Sequence, residues 1–285
     1  MTKQRSLAAL VFAGAFAIVA SAPALAAEET PHPPRQSWSF AGPFGTFDRA
    51  QLQRGFKVYH EVCAACHSMH LLSFRNLSEP GGPEFTKAQV AALAAQAKVQ
   101  DGPNDAGEMF ERAARPADRF PSPFPNDNAA RAANGGALPP DFSVLAKARS
   151  YERGFPWFIF DIFTQYQEQG VDYIVALLHG YEEPPQGFAL PEGANYNKFF
   201  PGHALGMPKP IEDGRVEYTD GTPGTLDNYS KDVAAFMMWA AEPHLEARKR
   251  IGFQTMIFLL VFAGLLYFAK KKVWSTAPHA PEQHA

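Results

Sequence analysis

The chain has 285 residues and a formal net charge of −3, so it lacks the basic excess that is typical of nucleic-acid-binding proteins. Its charge is uneven. Glu282 is the one acidic residue outside residues 27–247, whereas eight basic residues lie outside that range, so this body has 28 acidic and 18 basic residues and a balance of −10. Such a surface repels nucleic acid and attracts basic partners, although solubility alone is also a sufficient reason for it.

The N-terminus predicts a cleaved secretory signal peptide over residues 1–26. Lys3 and Arg5 form a short basic start, an apolar run follows, and Ala24-Leu25-Ala26 supplies the small-x-small pattern of a cleavage site. A first transmembrane helix is the alternative, but the apolar run is short and ends at this site. Residues 27–247 are therefore expected to be exported.

Helix signals in the body are local. The stretch TFDRAQLQRGFKVYHEVC repeats apolar residues at helical spacing up to the first cysteine, with Leu52, Phe56, Tyr59 and Cys63 on one stripe. In TKAQVAALAAQAKV, Thr86 and Gln89 form a capping box that predicts a second helix. The two stretches FPWFIFDIFTQYQ and GVDYIVALLHGY read as apolar helices, and the first is too short to span a membrane.

The stretch YSKDVAAFMMWAAEPHLEARKR predicts a helix that runs toward the C-terminal anchor, with a bend or restart at Pro243. Two long, turn-rich loops separate the helices, and no convincing series of strands is present. The body is expected to be mostly α-helical.

A second apolar segment, Ile251–Ala269, carries no charge and spans 19 residues. At ~1.5 Å per residue it matches the ~30 Å hydrocarbon core of a bilayer. We therefore predict a transmembrane anchor with basic flanks over residues 248–272 and a short inner tail over residues 273–285. The flanking charges are nearly balanced, so the orientation follows from the signal peptide.

The stretch EVCAACHSMH places Cys63 and Cys66 three positions apart, with His67 directly after the second cysteine. Four interpretations compete. A zinc site lacks further ligands in the sequence, and a thioredoxin-like pair would begin a helix rather than end one. A disulfide across two residues would close too small a loop to stabilise much. In an exported chain, Cys-x-x-Cys-His is the pattern of covalent haem c attachment, with the histidine as iron ligand.

A sixth iron ligand would come from a methionine or histidine far from this motif. Met207 lies in the Pro/Gly-rich loop PGHALGMPKP, and His203 in the same loop is its rival. A methionine ligand raises the haem potential, whereas a second imidazole lowers it. Met109 is expected to be exposed, and Met237 and Met238 to pack in the core. The residues alone leave Met207, His203 and an open iron site as alternatives.

Several stretches resemble, in family order, the signature blocks of cytochrome c1, the haem subunit of the ubiquinol–cytochrome c reductase (cytochrome bc1) complex. They are YHEVCAACHSM, ARAANGGALPPDFS, LLHGYEEPPQGF, YNKFFPGHALGMPKPI, DGTPGT and KDVAAFMMWAAEPHLEARKRIGF. The chain is similar to alphaproteobacterial members. This resemblance implies a mostly α, cytochrome c-like haem domain with long loops, one covalent haem c and a single C-terminal transmembrane helix.

The resemblance also implies roles for individual residues. The haem would be attached through thioethers at Cys63 and Cys66, its iron held by His67 and Met207, one propionate paired with Arg131, and its face covered by Pro139 and Pro140. The segment 154–170 is longer and more aromatic than the family pattern leads us to expect. It is a candidate for contact with lipid or with another subunit.

By the same resemblance, the partners are a cytochrome b subunit, a Rieske iron-sulfur subunit and a soluble cytochrome c, in a dimeric complex. The location would be the bacterial inner membrane, with the haem domain in the periplasm and the C-terminus in the cytoplasm. The chain alone would carry electrons without catalysing a reaction. The alternatives are a free-standing, membrane-anchored monohaem shuttle, a haem sensor or peroxidase with an open iron, and a structural subunit with a vestigial haem.

Overall fold

The structure is a computed structural model that describes residues 31–149, 155–164 and 169–275. The predicted signal peptide and the last ten residues lie outside these ranges. Within them the helices are α1 Arg49–Glu61, α2 Lys87–Gln96, α3 Asp127–Ala133, α4 Leu145–Ala148, α5 Trp157–Thr164, α6 Gln169–His179, α7 Leu226–Ala241 and α8 Leu245–Ser275. Short 3₁₀ turns occupy Cys63–Ala65 and Phe74–Ser78.

Two small antiparallel hairpins accompany the helices. Strand β1 (Lys98–Asp101) pairs with β2 (Phe110–Ala113), with Lys98 opposite Ala113. Strand β3 (Asn195–Tyr196) pairs with β4 (Ala204–Leu205), with Asn195 opposite Leu205. The described part of the chain is therefore mostly helical, as the sequence predicts.

Helix α7 is the centre of the body, because α1, α4 and α6 all pack against it. Its side chains Phe236, Met237, Met238 and Trp239 are almost completely buried, which confirms the core role predicted for the two methionines. Helix α1 crosses it closely at Gly55, where a Cβ atom would lie 2.0 Å from the carbonyl oxygen of Asp232. This crossing fixes the position of the cysteines that follow α1.

The start of α1 follows from its sequence. The Asp48 carboxylate accepts a hydrogen bond from the Gln51 backbone amide and satisfies one of the amides left free at the helix start. The stripe predicted from the sequence, Leu52, Phe56 and Tyr59, faces the core. The capping box predicted at Thr86 and Gln89 is also present at the start of α2.

Helix α8 meets α7 at a break around Pro243, as the sequence predicts. It continues for 31 residues without interruption, about 46 Å at ~1.5 Å per residue. Among the described residues it is the one helix that is long and apolar enough to cross a membrane, and its apolar window is not buried within the chain. The predicted anchor lies entirely within it.

Candidate functional site

The two cysteines lie in the turn that ends α1. Cys63 begins the 3₁₀ turn, and its carbonyl oxygen accepts hydrogen bonds from the backbone amides of Cys66, at 3.1 Å, and of His67, at 2.9 Å. Cys63 is half-buried, Cys66 is exposed, and both are free thiols. Burial raises the pKa of the Cys63 thiol to about 12, with the neighbouring Cys66 adding to it. A reactive redox cysteine needs the opposite shift, so the local chemistry disfavours a thioredoxin-like pair.

The His67 imidazole is held in one tautomer. Its Nδ1 lies 2.8 Å from the carbonyl oxygen of Pro140. Because a carbonyl oxygen only accepts, Nδ1 carries the proton and Nε2 keeps its lone pair. The ring also stacks on Phe142, with centroids 4.1 Å apart.

The other nitrogen of this ring, Nε2, has no hydrogen-bond partner among the described residues, because the contact with Pro140 is the one that the His67 ring forms. The residue is buried, with 7% of its surface exposed. Burial lowers the pKa of His67 below its ordinary value, against a smaller opposing effect of the Pro140 hydrogen bond. The ring is therefore a neutral, oriented nitrogen donor.

A carboxylate that the sequence did not single out fastens this region. Asp141 accepts hydrogen bonds from the Ser68 hydroxyl at 2.7 Å, from the His70 backbone amide at 2.9 Å and from the Ser143 backbone amide at 2.8 Å. Its carboxylate also lies 2.6 Å from the His70 ring. Burial alone would raise the pKa of Asp141, but the hydrogen bonds from Ser143, His70 and Ser68 outweigh it and lower the pKa to about 2.

Backbone contacts complete the attachment between these two segments. The Phe142 amide donates to the Ser68 carbonyl oxygen at 2.8 Å, and the Leu71 amide donates to the Ser143 hydroxyl at 3.0 Å. We call the joined segments 67–71 and 140–143 the histidine clamp. The clamp fixes the orientation of His67 relative to the two prolines.

Met207 follows the β3–β4 hairpin and is half-buried. The Tyr181 hydroxyl donates to the carbonyl oxygen of Met207 at 3.1 Å. This contact attaches the loop of residues 201–210, which we call the methionine loop, to the chain after α6. Next to it, a Cβ atom on Gly206 would lie 3.0 Å from Cβ of Ala137. Ala137 is three residues before Pro140, a span of at most about 11 Å. The methionine loop and the histidine clamp therefore approach each other through residues 137–140.

His203, the rival ligand, has a structural role in this hairpin. It adopts a positive φ of 57°, is buried, and its Nδ1 donates to the Asn197 carbonyl oxygen at 3.1 Å. Its ring stacks on Tyr196, with centroids 5.4 Å apart. These contacts are sufficient to explain why His203 is buried, so its burial does not require a role as a metal ligand.

Arg131 precedes residues 137–140 in the sequence, and Pro139 lies within them. Arg131 is exposed in the last turn of α3, and its Nη1 donates to the Gly136 carbonyl oxygen at 3.2 Å. Gly135 and Gly136 both have positive φ, and a Cβ atom on either would meet no atom within 4 Å. The propionate pairing of Arg131 and the haem contacts of Pro139 and Pro140 stay predictions.

These residues fit a covalent haem c. The exposed Cys66 and half-buried Cys63 are free to form thioethers, and the adjacent histidine has a neutral nitrogen without a protein partner among the described residues. The methionine loop, which lies much later in the sequence, approaches the same region. The donor set, one imidazole and one thioether, is typical of electron-transfer haems.

Comparison with known proteins agrees with this chemistry. The model of the Cytochrome C1 family matches residues 38–277. The chain belongs to the cytochrome c1 family. Members of this family carry a covalently bound haem c, so the resemblance inferred from the sequence blocks is confirmed.

Individual relatives support this membership in the cytochrome c1 family. The chain is 64% identical over 268 residues to cytochrome b/c1 of Bradyrhizobium diazoefficiens, covering 94% of this chain but 39% of the relative. It is 55% identical over 268 residues to cytochrome c1 of Blastochloris viridis, covering 93% of each. It is 42% identical over 261 residues to cytochrome c1 of Rhodospirillum rubrum, covering 86% of this chain and 88% of the relative. The chain thus spans about two fifths of the Bradyrhizobium protein and nearly all of the other two.

Proposed function

We propose that this chain is the electron-transferring subunit of a membrane-bound quinol–cytochrome c reductase. When bound, its haem c supplies one-electron chemistry, by which electrons from a Rieske iron-sulfur subunit reach a soluble c-type cytochrome. The observation that carries the proposal is the His67 imidazole. It follows Cys66 directly, is fixed through Nδ1 by Pro140, and has no protein partner at Nε2 among the described residues.

Each residue has a distinct part in this proposal. Cys63 and Cys66 would hold the cofactor through thioether bonds, and His67 would supply a nitrogen ligand to the iron. Met207 would supply a soft sulfur ligand, which favours the reduced iron and raises the potential. Arg131 would pair with a propionate as a charge-assisted contact, and Pro139 and Pro140 would keep water from one face.

The anchor and the family support the proposed location and partners. Helix α8 would cross the bacterial inner membrane once, with the body on the periplasmic side and the C-terminus in the cytoplasm. A cytochrome b subunit would lie beside α8, in a dimeric complex. The exported location is supported by the signal-peptide pattern of residues 1–26.

The acidic body provides the attraction for a basic electron acceptor, and Glu182 and Glu183 are exposed candidates for its docking rim. We expect the second-order rate of electron transfer to a basic soluble cytochrome to fall as salt rises, because the Debye length shrinks from ~30 Å at 0.01 M to ~3 Å at 1 M. Stopped-flow mixing of the reduced complex with the oxidised acceptor over this salt range measures it.

A pair of double variants refines this test. Glu182→Gln with Glu183→Gln should slow the low-salt rate several-fold and flatten its salt dependence. Asp105→Asn with Glu108→Gln removes the same charge from the exposed loop between β1 and β2 and serves as the matched control. A rate that does not change with salt would remove the steering claim, and equal slowing by both double variants would remove the assignment of the rim.

A further inference from the structure

The aromatic segment, which we define as residues 155–164, is the largest feature that the proposed function leaves unused. Four large apolar side chains are exposed within six residues: Phe155 at 80%, Trp157 at 52%, Ile159 at 38% and Phe160 at 54%. No other stretch in the described chain before α8 exposes as many over so short a length. Clusters of this kind mark interaction surfaces rather than ordinary solvent-facing helices.

The chain before this segment is tied to the start of the membrane helix. Lys147, in α4, donates to the Glu242 carboxylate at 2.5 Å, and Arg248, in the first turns of α8, pairs with the same carboxylate. Burial opposes ionisation of Glu242, but hydrogen bonds from Arg248 and Lys147 keep its pKa below the ordinary value. Helix α4 therefore lies beside the junction of α7 and α8.

The chain after the segment returns to the same place. Gly170, near the start of α6, approaches α4 so closely that a Cβ atom on it would lie 1.7 Å from the Ala146 carbonyl oxygen and 2.5 Å from that of Arg149. Arg149 and Gly170, which flank the aromatic segment in the sequence, therefore both lie at α4, near the start of α8.

The distances allow this segment to meet a bilayer. Ile251, where the apolar run of α8 begins, lies about 9 Å along the helix axis from Leu245, at ~1.5 Å per residue. Trp157 is eight residues beyond Arg149, a reach of at most about 29 Å. These four side chains are exposed on the chain by itself. Among the described residues, α8 is the helix that is long and apolar enough to enter a membrane.

We propose that the aromatic segment lies in the headgroup region of the bilayer, on the side of the body, and contacts phospholipid. Tryptophan is enriched at this depth because its ring is apolar and its indole N–H is polar, and phenylalanine adds buried apolar area. A short apolar helix beside a membrane anchor would fix the tilt of the body, as interfacial anchors do. This proposal rests on the membrane anchor α8 and is independent of the haem assignment.

Photocrosslinking in native membranes tests it directly. The photoreactive residue p-benzoyl-phenylalanine is placed at Trp157 in the full chain, membranes are illuminated, and the peptide containing position 157 is analysed by mass spectrometry. We expect phospholipid adducts at a yield several-fold above that from the same residue at Met109, which is 61% exposed in the body. The same residue at Leu260, 69% exposed on α8, is the positive control for lipid contact.

The molecule to which position 157 is crosslinked decides between contact with lipid, contact with another protein chain and no such contact. Lipid adducts at 157 and also at Phe160, with few at 109, support the proposal. Adducts of position 157 to another protein chain would overturn it in favour of a subunit contact. A yield at 157 no higher than at 109, while position 260 reacts with lipid, would overturn it as well. Placement at Phe160 repeats the test without removing Trp157, and the haem absorption spectrum of each variant reports the proposed function separately.

Discussion

Replacing Met207 by leucine is expected to lower the midpoint potential of the haem and to open its iron to carbon monoxide. Leucine has a similar volume but no donor atom, so the sulfur that favours the reduced iron is lost while the packing of the loop is kept. The drop should be a sizeable part of the ~0.8 V range over which axial ligands set haem potentials. Potentiometric titration and carbon monoxide difference spectra of the purified complex measure both effects.

Two matched variants make the Met207 experiment selective. Met109→Leu makes the same chemical change at an exposed position in the body and should leave the potential unchanged. His203→Gln removes the rival donor, and we expect it to disturb the hairpin, because the ring packs on Tyr196 and bonds to Asn197, without opening the iron. An unchanged potential in Met207→Leu together with carbon monoxide binding in His203→Gln would show that the histidine is the ligand.

Replacing Asp141 by alanine is expected to destabilise the histidine clamp and, with it, the position of His67. The Ser68 hydroxyl and the backbone amides of His70 and Ser143 would lose their acceptor. Loss of the acceptor for part-buried donors costs about 1–3 kcal/mol, and for a domain of this size this lowers Tm by roughly 2–12 °C. Thermal unfolding followed by circular dichroism, together with the haem spectrum, measures it.

The effect of Asp141→Ala should depend on pH in one direction. The folded pKa of Asp141, about 2, lies below the ~3.9 of an unfolded aspartate. The contribution of the ionised Asp141 to the stability of the fold is therefore fully present above about pH 4 and is lost as pH falls through 2. The Tm difference between the wild type and the variant should narrow over that window. Asp105→Ala, at an exposed loop position, should show little difference at any pH; a difference for Asp141→Ala that stays constant down to pH 2 would contradict the role of the carboxylate.

Much of the fold could be predicted from local patterns. The stripe of α1, the capping box of α2, the break near Pro243 and the apolar length of α8 are all determined within one helix or at one of its ends. Their physical causes, helical periodicity, satisfied amides and hydrophobic length, act between residues that are close in the chain. That is why the sequence alone predicts them.

The hairpins and the histidine clamp could not be predicted in the same way. Strands β1 and β2 carry charged residues and only partial alternation, so their pairing has no clear hydrophobic signal. The clamp joins residues 71 to 74 positions apart, for example His70 to Asp141 and Phe142 to Ser68. Nothing local in the sequence distinguishes Asp141 or Tyr181 as supports of the two proposed iron ligands.

Membership of a quinol-oxidising complex is tested by affinity purification of the full chain from mildly solubilised membranes, through a tag on its C-terminus. Ascorbate-reduced and dithionite-reduced difference spectra are then recorded on the eluate. We expect an ascorbate-reducible c-type haem band together with b-type haem bands that dithionite reduces. A c-type haem that elutes alone under gentle conditions would contradict the subunit assignment and favour a free-standing electron shuttle, and a chain without covalent haem would contradict the site itself.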